Sequence, residues 1–257
     1  LQTEWSDLRV FCNSVTDYWA TIAISGPFSR QLLSEITDID LDGRDFSFMD
    51  WRQGSVAGIP ARIFRISFTG ELSYEINIQA DYATVVWDAL MERGAKYDIC
   101  PYGTEAMHIL RAEKGFIIVG QDTDGSISPL DLGLDWAVAK HKPFSFLGER
   151  GMQRADCMRT ERKQLVGLKT HDPKMVLKEG SQIVFESKQE KPMHMVGHVT
   201  SSYFSPILER SIALALVEGG HHRMGENVYV AFAKGEMYPA EISSPIFYDP
   251  EGERQNV

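Results

Sequence analysis

Cysteine is scarce in this chain. Cys12, Cys100 and Cys157 lie far apart and are odd in number. They have neither the spacing of a metal site nor the pairing of a disulfide framework, which points to a reducing, cytoplasmic setting. Long apolar runs are also missing, so no stretch reaches the length of a membrane span. Positive charge is in short supply: 26 Lys and Arg stand against 36 Asp and Glu, a formal net charge of −10. A nucleic acid as the main partner is thereby disfavoured, because neutralising phosphates needs clustered bases. The Gly-x-Gly-x-x-Gly fingerprint of dinucleotide sites is absent, as is a phosphate loop of the Walker type. Ser201-Ser202 has no His or Asp at the spacing of a hydrolase triad. The chain opens Leu1-Gln-Thr-Glu-Trp5, without Met or a signal peptide. That opening reads as the middle of an element, as in a cut or processed product.

The 257 residues are enough to bury a sizeable core, and 43% are hydrophobic. Residues 1–9 read as the last turns of a helix and residues 10–16 as a strand. A strand over residues 17–25 ends at Gly26-Pro27, and a short helix follows with Leu32, Leu33 and Ile36 at helical spacing. Strands are expected over residues 48–58 and 61–79, and helices over residues 81–93 and 104–115. His108 and Arg111 stand three apart on that last helix, either as an anion site or as a polar flank. Residues 116–151 read as a long connection with a short helix near residues 130–140. Its acidic residues are the alternative metal ligands of the chain, set against a plain solvated loop. Beyond residue 162 only strands are expected, six of them separated by turn residues, the spacing of a small barrel or sandwich. The fold class is therefore α+β: a ferredoxin-like antiparallel sheet with helices on one face over residues 1–160, then a small all-β barrel over residues 161–257.

Residues 61–79 carry the most information. Ile63, Arg65 and Ser67 alternate with Phe64, Ile66 and Phe68, and Thr69-Gly70-Glu71 supplies a turn. Tyr74, Ile76 and Ile78 then share one strand face, and Ser73, Glu75, Asn77 and Gln79 the other. Glutamate is depleted in strands. A carboxylate there can accept two parallel bonds from a flat ligand with paired N–H donors. It can equally be one member of a polar, solvated strand face.

The run Phe68-Thr-Gly-Glu-Leu-Ser-Tyr-Glu75-Ile resembles a signature of the folate-binding aminomethyltransferase family, the T-proteins of the glycine cleavage system and their relatives. Ser25-Gly-Pro27, Leu110-Arg-Ala-Glu-Lys-Gly115 and Val196-Gly-His-Val-Thr-Ser201 resemble its other blocks. Within that family, Phe116-Ile-Ile-Val-Gly-Gln-Asp-Thr-Asp-Gly125 and Phe247-Tyr-Asp-Pro-Glu-Gly-Glu-Arg-Gln-Asn256 are similar to the C-terminal part of sarcosine oxidase α subunits of the heterotetrameric type. The resemblance implies tetrahydrofolate binding, with Glu75 on the pterin edge, Phe68 beside the ring and Tyr248 near a ligand-binding aromatic. Phe68 stands where the family usually has Tyr, and Met107 where it has a folate-holding Arg. The resemblance also implies that the catalytic Asp lies upstream of Leu1, so no catalytic residue is expected in this chain and the fragment alone is expected to be inactive. FAD, FMN and NAD are expected elsewhere in an intact sarcosine oxidase, and its other subunits are the implied partners; no membrane partner is expected. The alternatives are a stand-alone aminomethyltransferase working with a lipoyl carrier and a non-catalytic assembly domain.

Overall fold

The computed structural model describes residues 4–187, 192–233 and 235–257. By packing, the chain falls into two compact units: Leu1–Pro101 with Gly252–Val257, and Tyr102–Glu251.

The first unit is built on a four-stranded antiparallel sheet of β1 (Trp19–Ser25), β2 (Trp51–Val56), β3 (Ile59–Phe64) and β4 (Ser73–Gln79), in the order β1-β4-β3-β2. Strand β4 is central, and its alternation decides both faces. Tyr74, Ile76 and Ile78 are fully buried. They pack with Ile24 and Ile63 beneath Leu32 and Leu33 of α1 (Ser29–Ser34) and Val86 and Leu90 of α2 (Ala83–Gly94). Burying each such aliphatic side chain stabilises the fold by roughly 1.5–3 kcal/mol. Helices thus cover one face, and Ser73, Glu75, Asn77 and Gln79 lie on the other, each less buried than its inward neighbours apart from Ser73.

Three expectations fail in this unit. Residues 4–9 form turns and bends with no helix, while residues 1–3 lie outside the described residues. Residues 10–15 form no strand, and a short 3-10 helix occupies Thr16–Tyr18. Phe11 is 96% exposed, so that segment has no sheet to bury its apolar side chains against. The link from β3 to β4 is residues 65–72, not a three-residue turn. The backbone of Arg65 still pairs with that of Met49 and Asp50, at 2.8 and 2.9 Å, and its buried guanidinium donates to the carbonyls of Phe46 and Val257, each at 2.6 Å. Gly70 does take the positive φ expected of it, +82°.

The second unit is a closed barrel of β5 (Lys163–Thr170), β6 (Gln182–Val184), β7 (Gly197–Ser205), β8 (Arg210–Glu218), β9 (Asn227–Ala231) and β10 (Met237–Ser243), ordered β10-β5-β8-β7-β6-β9. All six strands fall where the alternation places them. Val166, Leu168, Val199, Ala215, Val228 and Ile242 line its core. Closure removes the sheet edges that would otherwise invite pairing with another chain. The helix α3 (Thr104–Glu113) belongs to this unit, with Ala112 packed on Tyr203 and Ile212. The segment after it holds only a 3-10 turn, Asp135–Ala137, where a short helix was expected, and then the four-residue α4 (Glu149–Met152).

Candidate functional site

Register fixes what surrounds Glu75. Directly opposite it stand Ala23 on β1 and Phe64 on β3. Neither side chain can donate a hydrogen bond. The polar groups one step along the face are committed elsewhere. Ser25 Oγ and Ser73 Oγ are 2.7 Å apart and share a hydrogen bond. Thr21 Oγ1 donates to Asn77 Oδ1 at 2.8 Å. Arg62, opposite Asn77, reaches over the Trp19 ring, its guanidinium carbon 4.8 Å from the centroid. Gln79 Nε2 donates to Asp81 Oδ2 at 3.1 Å. Glu75 is thus a half-buried carboxylate in the middle of a strand, with no hydrogen-bond donor aimed at it among the described residues. Burial pushes its carboxyl above the ordinary glutamate value, with no neighbouring cation to bring it back. On the same face, Trp51 and Phe64 stack with ring centroids 6.0 Å apart. A flat ligand that brought paired N–H groups to Glu75 would therefore meet an aromatic surface beside it.

Phe68 lies half-buried in the same unit, within residues 65–72. The linkage there is shaped locally, Gly70 N donating to Ser67 Oγ at 3.0 Å and Glu71 pairing with Arg254 at 2.6 Å. Tyr248 belongs to the second unit and is half-buried. Its backbone N–H donates to the Glu113 carbonyl at 2.9 Å, and the neighbouring Asp249 pairs with Lys114 at 3.0 Å. Met107 is half-buried on α3.

One expectation is overturned. Arg111 is neither an anion site nor a polar flank: it is fully buried. Its Nη1 lies 2.5 Å from Asp122 Oδ2, and its Nη2 donates to Ser201 Oγ at 2.7 Å. Asp122 accepts in addition from the Ile118 N–H at 2.8 Å, Thr200 Oγ1 at 2.5 Å and Ser201 Oγ at 2.7 Å. This network ties the segment after α3 to strand β7. Asp122 is thereby consumed as a structural group, and among the described residues no cluster of His, Cys, Asp and Glu could hold a metal ion. All three cysteines are free. Among the described residues no helix is long and apolar enough to cross a membrane.

Sequence comparison places these features in a lineage. The GCVT N-terminal domain matches residues 1–142, and the glycine cleavage T-protein C-terminal barrel domain matches residues 163–249. Sarcosine oxidase subunit alpha of Corynebacterium sp. (strain P-1) is 44% identical over all of this chain, which spans 27% of that subunit's length. The aminomethyltransferase of Thermotoga maritima is 32% identical, with 96% of this chain and 64% of that protein covered. The crystal structure of glycine cleavage system aminomethyltransferase T from Bartonella henselae superimposes with a TM-score of 0.70 at 22% identity, covering 89% of this chain and 59% of that one. That likeness shows a shared fold, sheet and barrel alike. With both of its domain families matched in order, this chain belongs to the GCVT family, as the aminomethyltransferase-like part that also occurs within sarcosine oxidase α subunits.

Proposed function

We propose that the chain is the tetrahydrofolate-binding portion of a sarcosine oxidase α subunit, and that Glu75 holds the pterin. The observation that carries this reading is the unanswered acceptor capacity of Glu75. A pterin offers an N3–H and a 2-amino group side by side, and a carboxylate accepts both in parallel. Phe64 and Trp51 present the adjoining aromatic surface, and Phe68 is the further ring-side residue of the same unit. Phe68 lacks the hydroxyl of tyrosine, so its contribution there is packing alone.

In the intact enzyme, bound tetrahydrofolate supplies acceptance of a one-carbon unit. This chain's part is to bind and orient it, since no residue here is assigned a catalytic role. A flavin-bearing partner subunit would oxidise sarcosine, with dioxygen taking the two electrons to give hydrogen peroxide, and FAD, FMN and NAD would be held outside this chain. Glycine and 5,10-methylenetetrahydrofolate are the products. Holding acceptor and electrophile in one enzyme raises their effective concentration. The α-subunit reading is preferred to a stand-alone aminomethyltransferase because identity is 44% over the whole chain for the former and 34% over 91% of it for an example of the latter. The working compartment is the cytoplasm. Titration of the intact polypeptide with tetrahydrofolate tests the proposal. Wild type binds, and Glu75→Gln binds at least about tenfold more weakly, since a charge-assisted pair is lost. Equal affinities would remove Glu75 from the site.

A further inference from the structure

On the helix-covered side of the first unit's sheet, positive charge gathers with too few acidic side chains to balance it. Arg30 on α1 donates through Nε to the Tyr74 hydroxyl at 3.1 Å and through Nη2 to the main-chain oxygen of Val257 at 2.5 Å. Its Nη1 has no acceptor among the described residues. Arg65, only 3% exposed, donates to the same Val257 oxygen at 2.6 Å. Among the described residues neither guanidinium makes an ion pair with an acidic side chain. Asp42 feels Arg30 but is spent on Arg44, at 2.8 Å. Burial disfavours the charged form of Arg65, and Arg30 adds like-charge repulsion, against attraction from Tyr74 and Asp50. A third guanidinium, Arg254, pairs with Glu71 at 2.6 Å.

Arg30, Glu71, Arg254 and Val257 line one cavity of about 430 Å³, with Pro27 and Leu72 as its apolar wall. That size is within the range of small-molecule sites. Tyr74 packs toward the helices, so the cavity that Arg30 lines is on the side of β4 opposite Glu75. With Arg65 close by, three guanidiniums stand against the one carboxylate of the cavity wall, in a chain whose formal net charge is −10. We propose that this cavity binds a small oxyanion, a carboxylate or a phosphate, which docks on Arg30 Nη1 and shares Arg254 with Glu71. Planar guanidinium forks suit both kinds of oxyanion. Arg65 does not touch the ligand; its buried charge is poorly screened and adds to the attraction. Glu71 is the competitor built into the site, since it occupies Arg254 and repels an incoming anion.

Calorimetric titration of the intact polypeptide tests the proposal, with inorganic phosphate in one arm and succinate in the other, at constant ionic strength. Saturable binding is expected, and the arm that binds more tightly names the source of the oxyanion. Arg30→Gln weakens that anion by at least about tenfold, because a charge-assisted contact is lost. Glu71→Gln acts in the opposite direction: it removes a like charge, releases Arg254 and tightens the same anion by about two- to fivefold. A tighter complex cannot come from a misfolded variant, which guards against a loss of structure in Arg30→Gln. Absence of saturable binding in both arms overturns the proposal. So does Arg30→Gln that binds as wild type does, or Glu71→Gln that fails to tighten.

Discussion

Two carboxylates, one in each compact unit, were given opposite treatment by the fold. Asp122 is fully buried and accepts from Arg111, Thr200, Ser201 and the Ile118 N–H. Glu75 is half-buried, and its cross-strand neighbours are Ala23 and Phe64, which offer it nothing. A charge that has lost water must find partners or destabilise the state that holds it. Where the protein supplies every partner, the group holds structure together and is closed to ligands. Where it supplies none, the group remains available to a ligand that brings its own donors. Burial alone does not separate the two cases; the identity of the opposite residues does.

The sharpest way to break this comparison is at Asp122. Asp122→Ala strands the Arg111 guanidinium in the barrel unit and is expected to cost about 3–5 kcal/mol, a fall in Tm on the order of 10 °C. Thermal denaturation measures it, and a change under about 2 °C would mean that the network is not holding the unit together. Next in size is Glu75→Gln, whose loss of affinity for tetrahydrofolate should come to about 2 kcal/mol with the fold intact. The two substitutions should therefore be mirror images, one harming stability and the other binding.

A smaller effect is expected at Asp131. Burial alone would raise its carboxyl, but Arg162, 2.9 Å away, and the Ser128 N–H and hydroxyl outweigh it and hold it below the ordinary aspartate value. A carboxyl lowered by folding contributes stability above its unfolded value and loses it as pH falls through the folded one. The stability gap between wild type and Asp131→Asn should thus shrink below about pH 4 in urea titrations. A gap that is constant from neutral to acid pH would contradict the ion pair's role.

The smallest effect returns to Glu75 and has the opposite sign. Its carboxyl is raised by folding, so the folded state keeps a proton that the unfolded state has given up. Stability then declines as pH rises through the window between the ordinary and raised values. Glu75→Gln removes that decline. Without ligand it should be slightly more stable than wild type at neutral pH, by about 1–2 °C in Tm given solvent screening, and no more stable in acid. A neutral-pH Tm lower than wild type would show that the carboxylate has a structural partner after all.

The barrel was legible because each of its strands alternates and turn residues punctuate them; closure needs no further information. Strand β4 was legible for the same reason. Alternation places Glu75 on the face away from Ile76, but it is silent on what stands across from that residue. Register supplies Ala23 and Phe64, and register is a long-range property. Asn77 was grouped with the polar face for the same want of information, since its partner Thr21 lies 56 residues away. Arg111 was misread because its partners lie off its own helix: Asp122 is 11 residues on, and Ser201 is 90 residues distant. The strand expected over residues 10–16 failed from the other direction: apolar residues alone make no strand where no neighbour pairs with them among the described residues.

Strand β4 also limits how this chain can change its length. Inserting one residue between Leu72 and Glu75 would swing the carboxylate toward the helices and turn the isoleucines out to water. Two inserted residues would restore both orientations while shifting the carboxylate by one step against its neighbours. Point substitutions on the outward side thus leave the core in place, while gain or loss of a single position would disrupt the outward face and the core together.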